Sequence, residues 1–431
     1  MASIEREEQE VFEDEVRRVA RELWPEAQHD GARILDGRER DGVFETEECV
    51  HLLETTVSRA KDKAKQDINK LTTLSRHLQT RSKHKVVKCW FVTKYEPTAE
   101  QREVANKHQG LVSALSFSQF QNKLIDAATY LSLRENYPFG SVRDPASGSP
   151  NASIEYIPLD LKKINQDEIW SVMQICDALL NNEGVVLLGD YGSGKSMTLR
   201  EIYRTIKRKY LNRSTSKFPI YLNLRDHFGQ VNSAEILERH ARNLGFPNPP
   251  HLVRAWRAGY AILIIDGFDE LTTLGIQGLW KQLKDSRYRA MQAVREFVGS
   301  QQNKAGIILA GRAHFFDSEK ERRSALKLSP SFVELTLNEF STEQVQCYLS
   351  KSGLEGMVPG WMPSRPLLVG YLAASGLLKE VLVPGSEDNS IIEDPAKGWD
   401  LILEKVCARE AEIEAGIDGP TIRKILERLA T

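Results

Sequence analysis

The chain has 431 residues, which at roughly 150 residues per domain allows about three domains and excludes a short peptide or a single small module. Apolar residues make up 41% and charged residues 27%, with a formal net charge of −2. That is the profile of a soluble globular protein, with no overall field that dictates a partner. No apolar run approaches the ~20 residues a bilayer-spanning helix needs, and MASIEREEQEVFEDEVRR lacks the basic start and apolar core of a secretory signal. The five cysteines, at 49, 89, 176, 347 and 407, form no CxxC pair, so free thiols in a reducing cytoplasm are expected, with no membrane contact.

From the N-terminus, residues 1–58 carry 17 acidic against 7 basic side chains, and residues 59–94 reverse this with 11 basic against 2 acidic. Such blocks are either solvated helix faces or the acidic and basic halves of a metal-dependent phosphodiesterase, where carboxylates hold the cation and Lys and Arg neutralise phosphate. A helix carrying Phe12 and Glu13 leads into a turn-rich stretch, GARILDGRERDGVF, that contains Asp41. An apolar strand, Cys49 to Leu53, then ends in Glu54. Two carboxylates on neighbouring strand ends suit a divalent metal. The helix SRAKDKAKQDINKL follows, its spacing putting Lys61 and Lys65 on one face and Lys63 on another. In KVVKCWFVTKYEP, Trp90 alternates with basic residues, the pattern of a strand beside a nucleic-acid groove or of a core aromatic.

After Tyr137 the sequence PFGSVRDPASGSPNAS punctuates rather than packs, so a first domain over 1–140 and a linker over 141–155 are expected. A helical pattern from Ile169 precedes the apolar strand Val185–Leu188. Alternating strand and helix signals to about residue 335 then predict a parallel α/β sheet over 156–335. The strand runs into Gly189, Asp190, Tyr191, Gly192, Ser193, Gly194, Lys195 and Ser196, with Met197 opening a helix. This is the GxxxxGK[ST] phosphate loop in its required strand-to-helix setting. Glycines turn backbone amides inward, the helix adds its positive end, Lys195 reaches the β- and γ-phosphates, and the Ser196 hydroxyl ligates Mg2+. The strand Ala261–Asp266 supplies the second acidic group for the cation, and Asp269 and Glu270 are placed to orient an attacking water. NEFSTEQVQCYLSKSG puts a Ser three residues before a Gln, a capped helix that opens a mostly helical region over 336–431.

Two family resemblances follow from these residues. The strand ending DGFDE resembles the Walker B element of NACHT-type nucleotidases, within the signal-transduction ATPases with numerous domains (STAND). FPIYLNLRD at 218–226 is similar to the strand between the Walker motifs, GIILAGRAHFF at 306–316 to the sensor strand, and SRPLLVGYL to the segment whose proline packs near the base. The resemblance implies ATP and Mg2+ as ligands, Arg312 as the γ-phosphate sensor and Pro366 beside the nucleotide. Arg312 is otherwise an ordinary strand-end arginine. At the other end, the order Glu13, Asp41, Glu54 resembles the Mrr-like branch of the PD-(D/E)xK restriction endonucleases. It implies a metal-binding set of these three carboxylates, with Mg2+ or Mn2+, acting on double-stranded DNA. The family's lysine falls on Thr56, which carries no charge. Either Lys61, Lys63 or Lys65 supplies it from the next helix, or the domain is a dead nuclease.

The expected architecture is therefore a restriction-endonuclease-like α/β/α domain, a P-loop NTPase parallel sheet and a helical subdomain. Similarity to bacterial NACHT proteins implies a cytoplasmic antiphage effector that oligomerises on ATP binding and cuts DNA. Family members usually carry a long C-terminal repeat domain that recognises the trigger, whereas 96 residues lie beyond 335 here: either a separate sensor protein or a phage-derived trigger is involved, or the chain is a truncated form, or the helical tail suffices. The competing expectation is a nucleotide-controlled binding module that grips nucleic acid or a partner without cleaving it.

Overall fold

The computed structural model describes residues 2–28, 33–35, 38–81, 84–108, 110–142, 156–272, 280–301, 305–351, 353, 361–362, 364–374, 376, 378, 394–413 and 418–430. In the first helix, α1 (Ala2–Leu23), Phe12, Val16, Val19 and Ala20 recur at helical spacing and are all buried. The stretch expected to be turns holds three short strands: β1 (Arg33–Leu35), β2 (Arg38–Arg40) and β3 (Gly42–Glu45). β4 (Cys49–Thr56) extends two residues beyond Glu54.

α2 (Lys61–Arg81) packs on the sheet through Ala64, Ile68 and Leu71, followed by β5 (Val86–Thr93), α3 (Ala99–Asn106), β6 (Val112–Ser116), α4 (Phe117–Leu124) and α5 (Ala127–Glu135). The sheet runs β3-β4-β5-β6, with β3 antiparallel to β4 and the other three parallel, as helical crossovers require. Trp90 is half-buried between Trp24 and Phe120, and its Nε1 donates to His51 Nδ1 at 3.2 Å, so it packs against other aromatics of the domain.

β7 (Leu161–Lys163) and β8 (Ile169–Trp170) form a short antiparallel pair. Ile169 and Trp170 thus belong to a strand. The helix predicted to begin there is α6 (Val172–Leu180), delayed by the capping box of Ser171 and Gln174. Then follow β9 (Gly184–Leu188), α7 (Lys195–Leu211), β10 (Phe218–Asn223), α8 (Ser233–Asn243), α9 (Pro249–Arg257), β11 (Ala261–Asp266), α10 (Trp280–Ala290), α11 (Gln292–Gln301), β12 (Ile307–Gly311), α12 (Glu319–Ala325) and β13 (Val333–Leu337). The sheet order is β10-β11-β12-β9-β13-β7-β8, and its first five strands are parallel. β9, β10, β11 and β12 are buried throughout, which is why they read as continuous apolar runs. α13 (Thr342–Lys351) starts at Ser341, whose hydroxyl accepts from Gln344 N, as expected from the sequence. α14 (Pro366–Ala374) and helices Pro395–Ile413 and Gly419–Ala430 complete the described chain.

The change of sheet near residue 140 is not a gap in packing. Buried residues of α1, α4 and α5 join those of the larger sheet in one apolar core. Tyr130 pairs with His240 at 3.1 Å, Tyr260 donates to the Glu15 carbonyl at 3.1 Å, and Lys207 pairs with Glu135 at 2.8 Å.

Candidate functional site

The register of the larger sheet pairs Leu188 with Gly311, Ala310 with Asp266, and Asp266 with Asn223. The carboxyl ends of four strands therefore form one edge, the usual place for a ligand in an open parallel sheet. β12 lies between the strand that enters the phosphate loop and the strand that ends in Asp266, so Arg312, just past its end, is delivered beside both.

Gly192 and Gly194 take φ of +76° and +95°, and a Cβ on Gly194 would lie 2.9 Å from Leu159 Cδ1. Only glycine turns the chain this way at such close quarters. Gly194 is the N-cap of α7 and caps it with no side chain. The first amides of a 17-residue helix are thereby left facing the loop, ready for an anion. Lys195 Nζ folds back onto the carbonyls of Gly189 and Asp190, at 2.8 and 2.7 Å. Burial lowers its pKa, against the pull of Asp269 and Asp266.

Asp266 is 5% exposed and accepts from the Tyr221 hydroxyl at 2.7 Å. Burial raises its pKa, while hydrogen bonds from Ser196 and Tyr221 and the charge of Lys195 oppose the rise. A buried carboxylate bonded to the loop serine is a hard-oxygen donor set that fits Mg2+. Arg312 Nε lies 3.0 Å from Asp269 Oδ2, and its backbone amide donates to Oδ1 of the same carboxylate. Burial raises the pKa of Glu270, and Asp266 raises it further.

Pro366 and Leu367 lie over the phosphate loop, where the Leu367 amide donates to the Gly192 carbonyl at 3.1 Å. The cavity continues over an apolar wall of Ile157, Leu159, Phe340 and Tyr348, and Met197 also lines it. His314 Nδ1, 3.1 Å from Asp190 Oδ1, ties the sensor segment to the phosphate loop. No sequence signal singled it out, because the pair spans two separate motifs.

In the N-terminal domain Gly42 pairs with Leu53, so Asp41 stands opposite Glu54. Asp41 Oδ2 accepts from the amide and hydroxyl of Thr55, at 2.6 and 3.0 Å. Glu13 lies on α1, accepts from Gln9 at 2.9 Å and pairs with Arg17 at 3.5 Å. Gln9 in turn donates to the Thr55 carbonyl. The expectation for the missing lysine needs correction. Lys61 and Lys65 are exposed on α2, and Lys63 pairs with Asp67 at 2.9 Å. It is Lys70 that reaches Glu54, at 3.1 Å, and Asp67, at 3.2 Å.

Helix geometry explains the difference. Lys63, Asp67 and Lys70 are separated by four and three residues and so share a face, the one that turns toward β4, while Lys61 and Lys65 share the opposite one. Burial, reinforced by Asp41, pushes Glu54 up to about 8, and burial with Glu13 pushes Asp41 up to about 6. Burial alone would lower Lys70, but Glu54 and Asp67 more than offset it. Among the described residues no three His, Cys, Asp or Glu side chains converge as a metal-binding group.

Fold and site together define a P-loop NTPase. Residues 183–353 match the model of the NACHT domain family, so this part of the chain is a NACHT-type P-loop NTPase domain, which supports nucleotide binding and NTP hydrolysis. No curated protein matches the chain. Among solved structures, it is similar to ORC1 of Aeropyrum pernix in complex with DNA, at 14% identity and TM-score 0.33, over 55% of this chain and 67% of that one. The Walker-type ATPase paby2304 of Pyrococcus abyssi aligns at 16% identity and TM-score 0.34, over 60% and 74%. Domain III of the Thermotoga maritima replication initiation protein DnaA aligns at 12% and 0.28, over 54% and 88%. At TM-scores this low the alignments say nothing further about function. No described helix is long and apolar enough to cross a membrane.

Proposed function

We propose that the chain is an ATP-regulated antiphage effector in which the NACHT domain controls oligomerisation and an N-terminal metal-dependent DNA endonuclease. The observation that carries the effector half is Asp41 facing Glu54 across β3 and β4, with Lys70 seated on Glu54. Two facing carboxylates are oxygen donors suited to Mg2+ or Mn2+, and Glu13 approaches through Gln9. Such a cation, when bound, supplies Lewis-acid activation of the phosphodiester and of water. Lys70 replaces the charge that Thr56 lacks, holding an ammonium group where negative charge builds on the phosphate.

In the NACHT domain, Lys195 and the first amides of α7 bind the phosphates, and Ser196 and Asp266 are the residues that hold Mg2+. Asp269 and Glu270 orient water, and Arg312 leaves Asp269 for the γ-phosphate. Assembly of several copies would gather the N-terminal domains on double-stranded DNA, in response to a separate sensor protein or a phage-derived trigger.

The test is plasmid nicking with ATP and either Mg2+ or Mn2+. Wild type should nick, and Glu54→Gln and Lys70→Ala should each lose about 100-fold or more. Intact plasmid with wild type under every condition would sink the nuclease. A second reading, a nucleotide-controlled module that binds nucleic acid or a partner without cutting, is favoured by the lack of a converged three-ligand group among the described residues. A gel shift without nicking would support it.

A further inference from the structure

The segment that joins the two sheets runs directly over the Ser196–Asp266 pair. Gly140 has φ +54°, and a Cβ there would lie 2.0 Å from Asp266 Oδ2 and 2.5 Å from Ser196 Oγ. The connector backbone thus touches both groups, with no room for a side chain. It is held from the far side: the Gly140 amide donates to Asn223 Oδ1 at 2.8 Å, Arg225 donates to the Gly140 carbonyl at 2.7 Å, and Asn223 Nδ2 donates to the Pro138 carbonyl at 3.1 Å.

The same segment is tied to α5. Arg134 is fully buried and donates to the carbonyls of Tyr137, Pro138 and Tyr221, at 2.7, 3.0 and 3.1 Å. Its guanidinium also lies 4.2 Å from the centre of the Phe139 ring. Tyr221 closes the circuit, because its hydroxyl bonds Asp266 while its carbonyl receives Arg134.

We propose that residues 137–141 form a strap that closes over Ser196 and Asp266 in the nucleotide-free protein and lifts when Mg2+-nucleotide binds, so that Arg134 passes site occupancy to α5 and the N-terminal domain. Mg2+ demands octahedral geometry with ligands at about 2.0–2.1 Å and keeps several waters. With Ser196 and Asp266 as its protein contacts, those waters need the volume that Gly140 fills. Strap and hydrated cation are therefore mutually exclusive, which gives the ligand the differential affinity that a population shift requires. The route to α5 is a continuous set of hydrogen bonds and ring contacts with a two-state element at one end.

The inference rests on Mg2+-nucleotide binding at the phosphate loop, which a fluorescent ATP analogue reports separately. Hydrogen exchange on the full chain is measured without nucleotide, with a non-hydrolysable ATP analogue in EDTA, and with the analogue and Mg2+. The amides of residues 139–142 should be protected in the first two states and exchange about tenfold faster or more in the third. Asn223→Ala and Arg225→Ala, which loosen the strap without reaching the phosphates, should show fast exchange without nucleotide. They should also bind the Mg2+ complex severalfold more tightly, because closure no longer competes. Protection unchanged or increased by Mg2+-nucleotide while fluorescence reports a filled site overturns the strap alone. So do wild-type exchange and affinity in both variants. No fluorescent binding at all overturns the phosphate-loop reading and the strap with it.

Discussion

At the scale of single residues, Lys195 and Glu54 show two different consequences of burying a titratable group. Among the described residues, Lys195 donates to the backbone carbonyls of Gly189 and Asp190, so a polyphosphate gains a full charge-assisted contact by displacing them. Lys195→Ala should weaken Mg2+-ATP binding at least 100-fold, about 2.7 kcal/mol by calorimetry. Asp269→Ala frees Arg312 from its 3.0 Å partner and should slow hydrolysis far more than it weakens binding, as steady-state turnover against affinity will show.

Glu54 gives a pH signature. Its carboxyl, pushed up by burial and Asp41 to about 8, keeps a proton in the native state over a range where the unfolded chain, near 4.3, has lost it. The native state then binds more protons than the unfolded one, so this contribution to stability is complete at low pH and is lost as pH rises through about 8. Wild-type Tm should fall between pH 5 and 8.5, and Glu54→Gln should fall less, so the gap between them widens with pH. A constant gap would mean that Glu54 is already ionised at neutral pH.

Elements carry the next level of the argument. A helix start is a local event: Ser341 caps α13 with a reciprocal bond to Gln344. Ser341→Ala should cost about 1 kcal/mol, seen as a lower denaturation midpoint with unchanged nucleotide affinity. The phosphate loop makes the contrasting case. Gly194→Ala forces φ +95° on a residue with a Cβ and drives that Cβ toward Leu159. The backbone term alone is about 1–2 kcal/mol, and the same conformation is what aims the amides. Affinity should therefore fall more than stability, the reverse of Ser341→Ala. Motifs of this kind are legible in sequence because every group they need lies within one turn or one strand end. The strand boundaries near Asp41 and the start of α6 were less legible, since two- and three-residue strands have no periodicity to read and exist only through their partners.

Over the whole molecule, the buried apolar core shared by the two sheets predicts that nucleotide stabilises more than its own domain. Saturating Mg2+-ATP, at about 100 times its dissociation constant, adds about 2.7 kcal/mol to the state that binds it. A melt followed by a probe in the N-terminal domain should rise with that of the NACHT domain, and Arg134→Met, which removes three carbonyl contacts, should separate the two. The sequence by itself determined the phosphate loop, Asp266 as the end of a buried strand, and the order of the two α/β regions, because these depend on near neighbours and on apolar runs that only a two-sided sheet can bury. It did not determine which lysine meets Glu54, nor that Gly140 rests on Asp266, nor that Arg312 pairs with Asp269. Those contacts join residues distant in the chain, and helix phase, strand register and sheet order decided them once the chain had folded.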